Sequence, residues 1–353
     1  MAKTNPAALA AALNEGLERF TSESFQERIG AFDMSNLANI GQTILNYEPL
    51  VIEFTNMISK IVQIWIRQKG LVNPLALLKR AVPSPLGLDI EEVFANPAEE
   101  KDFDPCGSTL LACAQNDIKV AYHRRSRETQ YTAWVSRAQM QAAFTSWDKM
   151  DALIQQIVNT LFNGNVNSEW EYSKALFGQA ATDNLIKNIT TVNPIDASTG
   201  ATFVKACRQH ALNLQMPGSN YNSYMTLPGA IGDPVICQTM PEDLILIIRS
   251  DALTNIDVDV LAKAFNMTNT DFMGRVLKVD TFTNADGTPN PKQLAFLGDQ
   301  NVPVVITQLE ETSTFWNAQA LKWTYFLSMF QIWSISPFWN GVMFMAPPDP
   351  SEP

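Results

Sequence analysis

The stretch that decides the fold is residues 123–162, HRRSRETQYTAWVSRAQMQAAFTSWDKMDALIQQIVNTLF. Its first part is basic and alternates in the manner of a strand. Its second part predicts the best amphipathic helix in the chain. Ala143, Trp147, Met150, Ile154, Ile157 and Leu161 recur at steps of three and four, which keeps one helical face apolar. Ser146 can cap the start, and Asp148 and Asp151 fall in the first turn, where the helix dipole favours negative charge. Gly164 follows at a position where a left-handed C-cap costs little, so the pattern predicts that the helix stops there. A charged extended arm therefore runs into a long, stiff helix.

Immediately upstream the sign of the charge reverses. Residues 88–108 read LDIEEVFANPAEEKDFDPCGS, with seven acidic side chains against Lys101 alone. Residues 119–137 set Lys119, Arg124, Arg125, Arg127 and Arg137 against Glu128. An acidic arm and a basic arm separated by a Gly/Ser turn predict a long hairpin-like excursion. If identical copies pack side by side, Arg124, Arg125 and Arg127 of one can face Glu91, Glu92, Glu99 and Glu100 of the next. A single exposed pair contributes only about 0–1 kcal/mol, so such a strip sets register more than affinity. Two other readings stand beside this one. The cluster can be a solvated strand edge, where arginines discourage aggregation, or a grip on nucleic acid.

Composition weighs on the last. The chain has 353 residues, 46% of them hydrophobic, enough for a sizeable core in one large or two ordinary domains. Its formal net charge is −11, opposite in sign to the field that neutralises phosphates. Cys106, Cys113, Cys207 and Cys237 form no C-x-x-C pair and are expected to be free core thiols. The N-terminal residues MAKTNPAALAAALNEGLERF contain no apolar run of signal-peptide length, so folding in a reducing cytoplasm is expected. Residues 323–348 carry no charge, but Gln331, Ser334, Ser336, Pro337, Asn340 and Gly341 interrupt them. Buried strands and a turn fit that segment better than a membrane span.

In chain order, the sequence predicts helices at 5–20, capped by Asn5 with Pro6 in the first position, at 33–47, stopped by Pro49, and at 51–65, with Gly70 as the stop. Pro74, Pro83, Pro85 and Gly87 then break the helical pattern. After the long helix, 167–187 reads as helical, with Trp170, Ala175, Leu176, Ala180 and Leu185 inward, and 203–214 as a further helix. Residues 244–248, LILII, predict a fully buried strand, and Asp257 a cap for a short helix. Strands follow at 275–282 and 293–297 around an Asp286-Gly287 turn, at 302–307 and at 338–345. No internal repeat is present. The class is α+β, helices leading and strands concentrated late.

Catalytic motifs are missing: no G-x-S-x-G, P-loop, G-x-G-x-x-G or H-E-x-x-H occurs. His123 and His210 lie far apart without ligand neighbours, so each reads as a surface or core histidine. Asp257 and Asp259 read as capping residues, Glu310 and Glu311 as solvated loop carboxylates, and Asp299 as a strand-end turn residue. No catalytic residue, metal site or cofactor is assigned; a carboxylate-dependent hydrolase is the distant alternative.

The order of parts resembles the major capsid proteins of tailed bacteriophages, the Hong Kong ninety-seven type fold, and most nearly those of small, short-tailed, phi-twenty-nine-like phages. NPLALLKRAVPSPLG at 73–87, the stretch 123–158, PEDLILIIRSDALTNIDVDVLAKAFN at 241–266 and LKWTYFLSMFQIWSISPFWNGVMF at 321–344 carry the resemblance. It implies a helical N-terminal arm (1–72), an extended loop with its entry strand (73–136), a peripheral domain with the spine helix (137–215), an axial domain (216–270), peripheral-domain strands (271–334), and an axial return with the C-terminal tail (335–353). It further implies a non-enzymatic shell subunit that forms pentamers and hexamers around the genome, in the virion, assembled in the host cytoplasm. No lysine–asparagine crosslinking pair can be placed, so the shell is expected to be non-covalent. The implied partners are other copies of itself, then scaffolding, portal or other capsid proteins, with packaged DNA touched only non-specifically and no membrane. An encapsulin-like compartment shares the fold and is the nearer alternative.

Overall fold

The computed structural model describes residues 6–33, 35–65, 71–80, 89–98, 100, 116–254, 256 and 276–348. It mixes helix and sheet, and divides into two compact units. Unit 1 comprises Met1–Asn73, Arg127–Glu169 and Gln308–Phe330; unit 2 comprises Pro74–Ser126, Trp170–Thr307 and Gln331–Pro353.

Unit 1 packs helices on one face of a sheet. Its helices are α1 (Pro6–Phe20), α2 (Glu23–Ile29), α3 (Leu37–Leu45), α4 (Glu48–Trp65), α5 (Arg137–Ala143) and the first half of α6 (Trp147–Thr182). Leu9, Leu13 and Leu17 of α1, Phe54 and Ile58 of α4, and Met150, Ile154, Ile157 and Leu161 of α6 enter one core. Phe25 and Ile29 of α2 and Leu37, Ile40 and Ile44 of α3 enter it too. Strands β4 (Arg127–Ser136), β9 (Pro303–Asn317) and β10 (Lys322–Ile335) supply the sheet, in the order β9-β10-β4. Trp323, Tyr325, Leu327 and Met329 of β10 alternate into the core, as a half-buried strand requires. α2 escaped the sequence reading; Ser22 caps it, and Gly30, at φ 68°, ends it where a side chain would be strained. Pro49 does not stop a helix: it lies in the first turn of α4, where its missing N–H is no loss. Asn5 and Gly70 lie outside the described residues.

The largest departure from expectation is α6, which runs through Gly164 to Thr182 in one piece of 36 residues. The buried stripe continues from Leu161 through Asn165, Glu169 and Ser173 to Phe177, at steps of four. Three polar residues interrupt the apolar signal, so the local pattern shows a break where the helix has none. Asn165 Nδ2 donates to Glu169 Oε1 at 3.2 Å within that interval. Gly164 serves close approach, because a Cβ there would meet the Tyr131 ring at 3.3 Å. Beyond it, Phe177 and Ala181 are buried, whereas Ala175 and Leu176, expected inward, are only half-buried.

Unit 2 is built on a five-stranded sheet of β5 (Lys187–Thr190), β6 (Leu244–Arg249), β7 (Val276–Val279), β8 (Gln293–Asp299) and β11 (Gly341–Met345), in the order β5-β11-β8-β6-β7. Leu244, Leu246 and Ile248 face the core of α7 (Ala197–Leu214), while Ile245 and Ile247 face that of the second half of α6, with Phe177 and Phe296. Burial on both faces is why LILII is apolar without alternation. β7 and β8 were expected to flank a turn as neighbours. The turn exists, with Gly287 at φ 80°, but β6 lies between them, parallel to β7 and antiparallel to β8. Both belong to this sheet, not to that of β9 and β10. Asp196 caps α7 in a capping box with Thr199, so this helix starts earlier than its apolar pattern. Lys79 and Arg80 of β1 (Lys79–Arg80) pair parallel with Val305 and Ile306. Asp257, Asp259 and the helix expected after them lie outside the described residues.

Candidate assembly interface

The acidic and basic arms are two paired strands, β2 (Asp89–Ala95) and β3 (Ile118–Arg124). They form a separate two-stranded antiparallel ribbon, with Asp89 opposite Arg124, Glu91 opposite Tyr122 and Val93 opposite Val120. Alternation sends Ile90, Glu92, Phe94, Lys119, Ala121 and His123 to one face and the remaining residues to the other.

The inner face lies on unit 2, held at both ends. At one end His123 is buried, its Nε2 3.0 Å from Glu92 Oε2 and its Nδ1 2.9 Å from Ser334 Oγ. Trp339 Nε1 donates to the other oxygen, Glu92 Oε1, at 2.9 Å. Burial pushes the Glu92 carboxyl up, but hydrogen bonds from His123, Ser336 and Trp339 outweigh it and hold the group below its ordinary range. In the middle, the Phe94 ring stacks on Phe338 at 5.5 Å. At the far end Asn96 Nδ2 donates to Asp117 Oδ2 at 2.6 Å and to the Pro234 carbonyl at 3.1 Å, and Asn96 Oδ1 accepts from the Ile236 amide at 3.0 Å. The buried Lys119 ammonium reaches Asp117 at 2.6 Å and the Ile231 carbonyl at 2.8 Å.

This geometry sorts the charged residues expected to touch a neighbour. Glu92 is spent inside the chain on His123 and Trp339. Arg127 begins β4, is buried in unit 1 and bonds the Tyr131 hydroxyl. β-strand alternation turns both inward, onto partners within their own chain. Glu91, Glu100 and Arg124 are exposed and Arg125 is half-buried; Glu99 lies outside the described residues. Arg124 Nε lies 3.6 Å from Asp89 Oδ2 at the ribbon's open end.

The remaining candidates are structural. His210 Nδ1 lies 3.2 Å from the Tyr221 hydroxyl, and its ring packs on Phe344. Burial, then the Lys187 charge, lower its pKa. Asp299 is buried and its pKa raised, first by that burial; its Oδ1 accepts from the Asn301 amide at 2.8 Å in a turn. Glu310 and Glu311 lie within β9, not in a loop. Cys207 and Cys237 are buried free thiols, as expected; Cys106 and Cys113 lie outside the described residues. Among the described residues no group of three His, Cys, Asp or Glu could hold a metal, and no helix is long and apolar enough to cross a membrane.

A family model described as phi29-like phage major capsid protein matches residues 15–345. The chain belongs to that family. It is 31% identical over 331 residues to the major capsid protein of Bacillus phage PZA, covering 92% of this chain and 70% of that protein. It is 29% identical over 335 residues to the major capsid protein of Bacillus phage B103, covering 93% and 71%. Among solved structures, a chain in the capsid of Staphylococcus phage Andhra matches with a TM-score of 0.61 at 14% identity, over 79% of this chain and 85% of that one. A chain in a structure of the head fiber and inner core protein of bacteriophage P68 matches with a TM-score of 0.57 at 14% identity, over 78% and 85%. The fold is that of the tailed-phage capsid proteins, as the resemblance implied. The capsid protein is structural rather than enzymatic, and its place is a virion capsid made of many copies of itself.

Proposed function

We propose that this capsid protein forms pentamers and hexamers that close an icosahedral head around the phage genome, assembled in the host cytoplasm. The observation that supports this reading is the β2–β3 ribbon, which presents charge of both signs at its open end. In this reading Arg124 and Arg125 of one copy face Glu91, Glu99 and Glu100 of the next. The five-stranded sheet with α7 forms the axial domain, including β7 and β8. Unit 1, with its half of the spine helix α6, forms the peripheral domain. Scaffolding and portal proteins are further partners, and DNA meets the shell only through non-specific contact, consistent with a net charge of −11.

Expression of the chain, with particles viewed by electron microscopy and nuclease-protected DNA measured, tests the reading. Closed particles are expected; a wild-type chain that stays monomeric at every concentration overturns it. Reversal of Arg124→Glu together with Arg125→Glu is expected to block particles while the subunit stays folded. Wild-type particle yield from that variant removes the charge contact.

A further inference from the structure

Three strand ends of the five-stranded sheet converge at Asp299, the last residue of β8. The β8–β11 register sets Gly298 opposite Gly341, so Asp299 falls opposite Asn340, and the Asp299 amide donates to the Asn340 carbonyl at 2.9 Å. Residues paired in this way share a face, with Cβ atoms about 4.5–5.5 Å apart. On its other side Asp299 stands opposite Leu244, the first residue of β6, next to Asp243. Asp299, Asn340 and Thr239 are each 1% exposed or less. Two of their side-chain oxygens, Thr239 Oγ1 and Asn340 Oδ1, have no hydrogen-bond partner among the described residues. Thr239 Oγ1 lies close enough to the Asp299 carboxyl to favour its charged form, yet completes no hydrogen bond of normal geometry with it. Burying such oxygens unpaired is costly, and doing so around a carboxylate calls for a positive charge.

We propose that Asp299, Asn340 and Thr239, with Asp243 at the mouth, bind one hard divalent cation of the calcium class, which ties the ends of β8, β11 and β6 together. The donors favour that class. They are a carboxylate, an amide oxygen and a hydroxyl, and Ca²⁺ takes oxygen ligands of these kinds and completes its shell with water. The soft atom nearby is the Cys237 sulfur. Its thiol is pushed up to about 11, first by burial and then by the Asp299 charge, so it keeps its proton. Asp243 brings a second, half-buried carboxylate. Its Oδ1 accepts from Gln300 Nε2 at 2.7 Å, which leaves Oδ2, and its charge opposes that of Asp299. Arg80 feels the Asp299 charge but spends its guanidinium on the Asn301 carbonyl. A water would meet Thr239 and Asn340 yet leave the two carboxylates opposed, whereas a cation answers both needs. Only two of the four side chains are acidic, so the set differs in kind from a cluster of three His, Cys, Asp or Glu.

The test uses the full-length subunit stripped with EDTA, and needs no particle, so it stands apart from the shell reading. Added Ca²⁺ is expected to raise the unfolding temperature saturably, with a Kd on the order of 0.1–1 mM, the weak end of the calcium range, because only two carboxylates take part. Mg²⁺ demands near-ideal octahedral geometry and is expected to bind about tenfold more weakly or worse. Asp299→Asn keeps the shape and removes the buried charge; it is expected to fold and to bind Ca²⁺ at least about tenfold more weakly. Thr239→Val, which keeps the volume, is expected to weaken binding about threefold or more. Tb³⁺ gives a second readout. Held beside Asn340 it lies next to Trp339, so excitation of tryptophan is expected to produce Tb³⁺ emission that Ca²⁺ displaces and that Asp299→Asn lacks. A wild-type subunit whose unfolding temperature does not respond to Ca²⁺ overturns the proposal, whichever variants fold. So does an equal response in Asp299→Asn or in Thr239→Val, which assigns the effect to an adventitious ion only, on the acidic surface.

Discussion

Glu92 of β2 and His123 of β3 are joined at 3.0 Å although they are not directly opposite in the ribbon: Glu92 pairs with Ala121, and His123 with Ile90. The contact is diagonal across the inner face, and it leaves the second carboxylate oxygen for Trp339. Charge-assisted hydrogen bonds contribute about 1.5–3 kcal/mol each where both partners are desolvated. Glu92→Gln keeps the shape and removes the charge, so it is expected to destabilise the folded subunit by about 1–3 kcal/mol. Urea unfolding followed by Trp fluorescence measures this, and an unchanged midpoint refutes it.

The same carboxyl gives a pH dependence whose sign is fixed. Its folded pKa lies below its unfolded value, so the stabilisation is fully present above about 4.3, the ordinary glutamate value, and is lost as pH falls through the folded pKa. Wild-type protein is expected to show a Trp339 fluorescence change below that pH, and Glu92→Gln to lack it. An identical change in both proteins assigns it to another group.

Gly178 lies where α6 crosses a backbone segment of unit 2. A Cβ there would sit 1.9 Å from the Thr283 carbonyl oxygen. Alanine would gain about 0.5–1 kcal/mol in helix propensity. Overpacking against backbone that cannot swing aside costs about 1–3 kcal/mol or more, so the clash wins. Gly178→Ala is expected to lower the unfolding temperature; a rise refutes the contact.

Ser136 joins β4 to α5. Its Oγ accepts from the Gln139 amide at 3.2 Å, and Gln139 Oε1 accepts from the Ser136 amide at 2.9 Å. Loss of this capping box in Ser136→Ala is expected to cost about 1 kcal/mol. Calorimetry against Ser136→Thr, which keeps the acceptor, separates capping from bulk.

Much of the fold was legible because hydrophobic periodicity is local. The face of Met150, Ile154, Ile157 and Leu161 and the run LILII both lie where their patterns put them. The second half of α6 was not legible, because the residues continuing its buried face are Asn165, Glu169 and Ser173. Glu310 and Glu311 read as loop for the same reason: polar residues in a long ribbon look like a turn until the partner strand is known. In the interface, the sequence supplied the two charged arms but not their sidedness. Arg124 and Arg127 are three residues apart, yet one is exposed and the other buried.

By itself the sequence determined the order of helices and strands, the two opposed arms and the family resemblance, all of which depend on residue type and spacing along the chain. Only the tertiary structure decided which side of the β2–β3 ribbon meets its own subunit, that Glu92 and His123 lock that side down, and that Val93, Val120 and Tyr122 remain outside. A strand has two faces and the sequence alternates between them. Which face is covered depends on residues such as Trp339 and Phe338, more than two hundred positions away in the chain, and no local pattern encodes that distance.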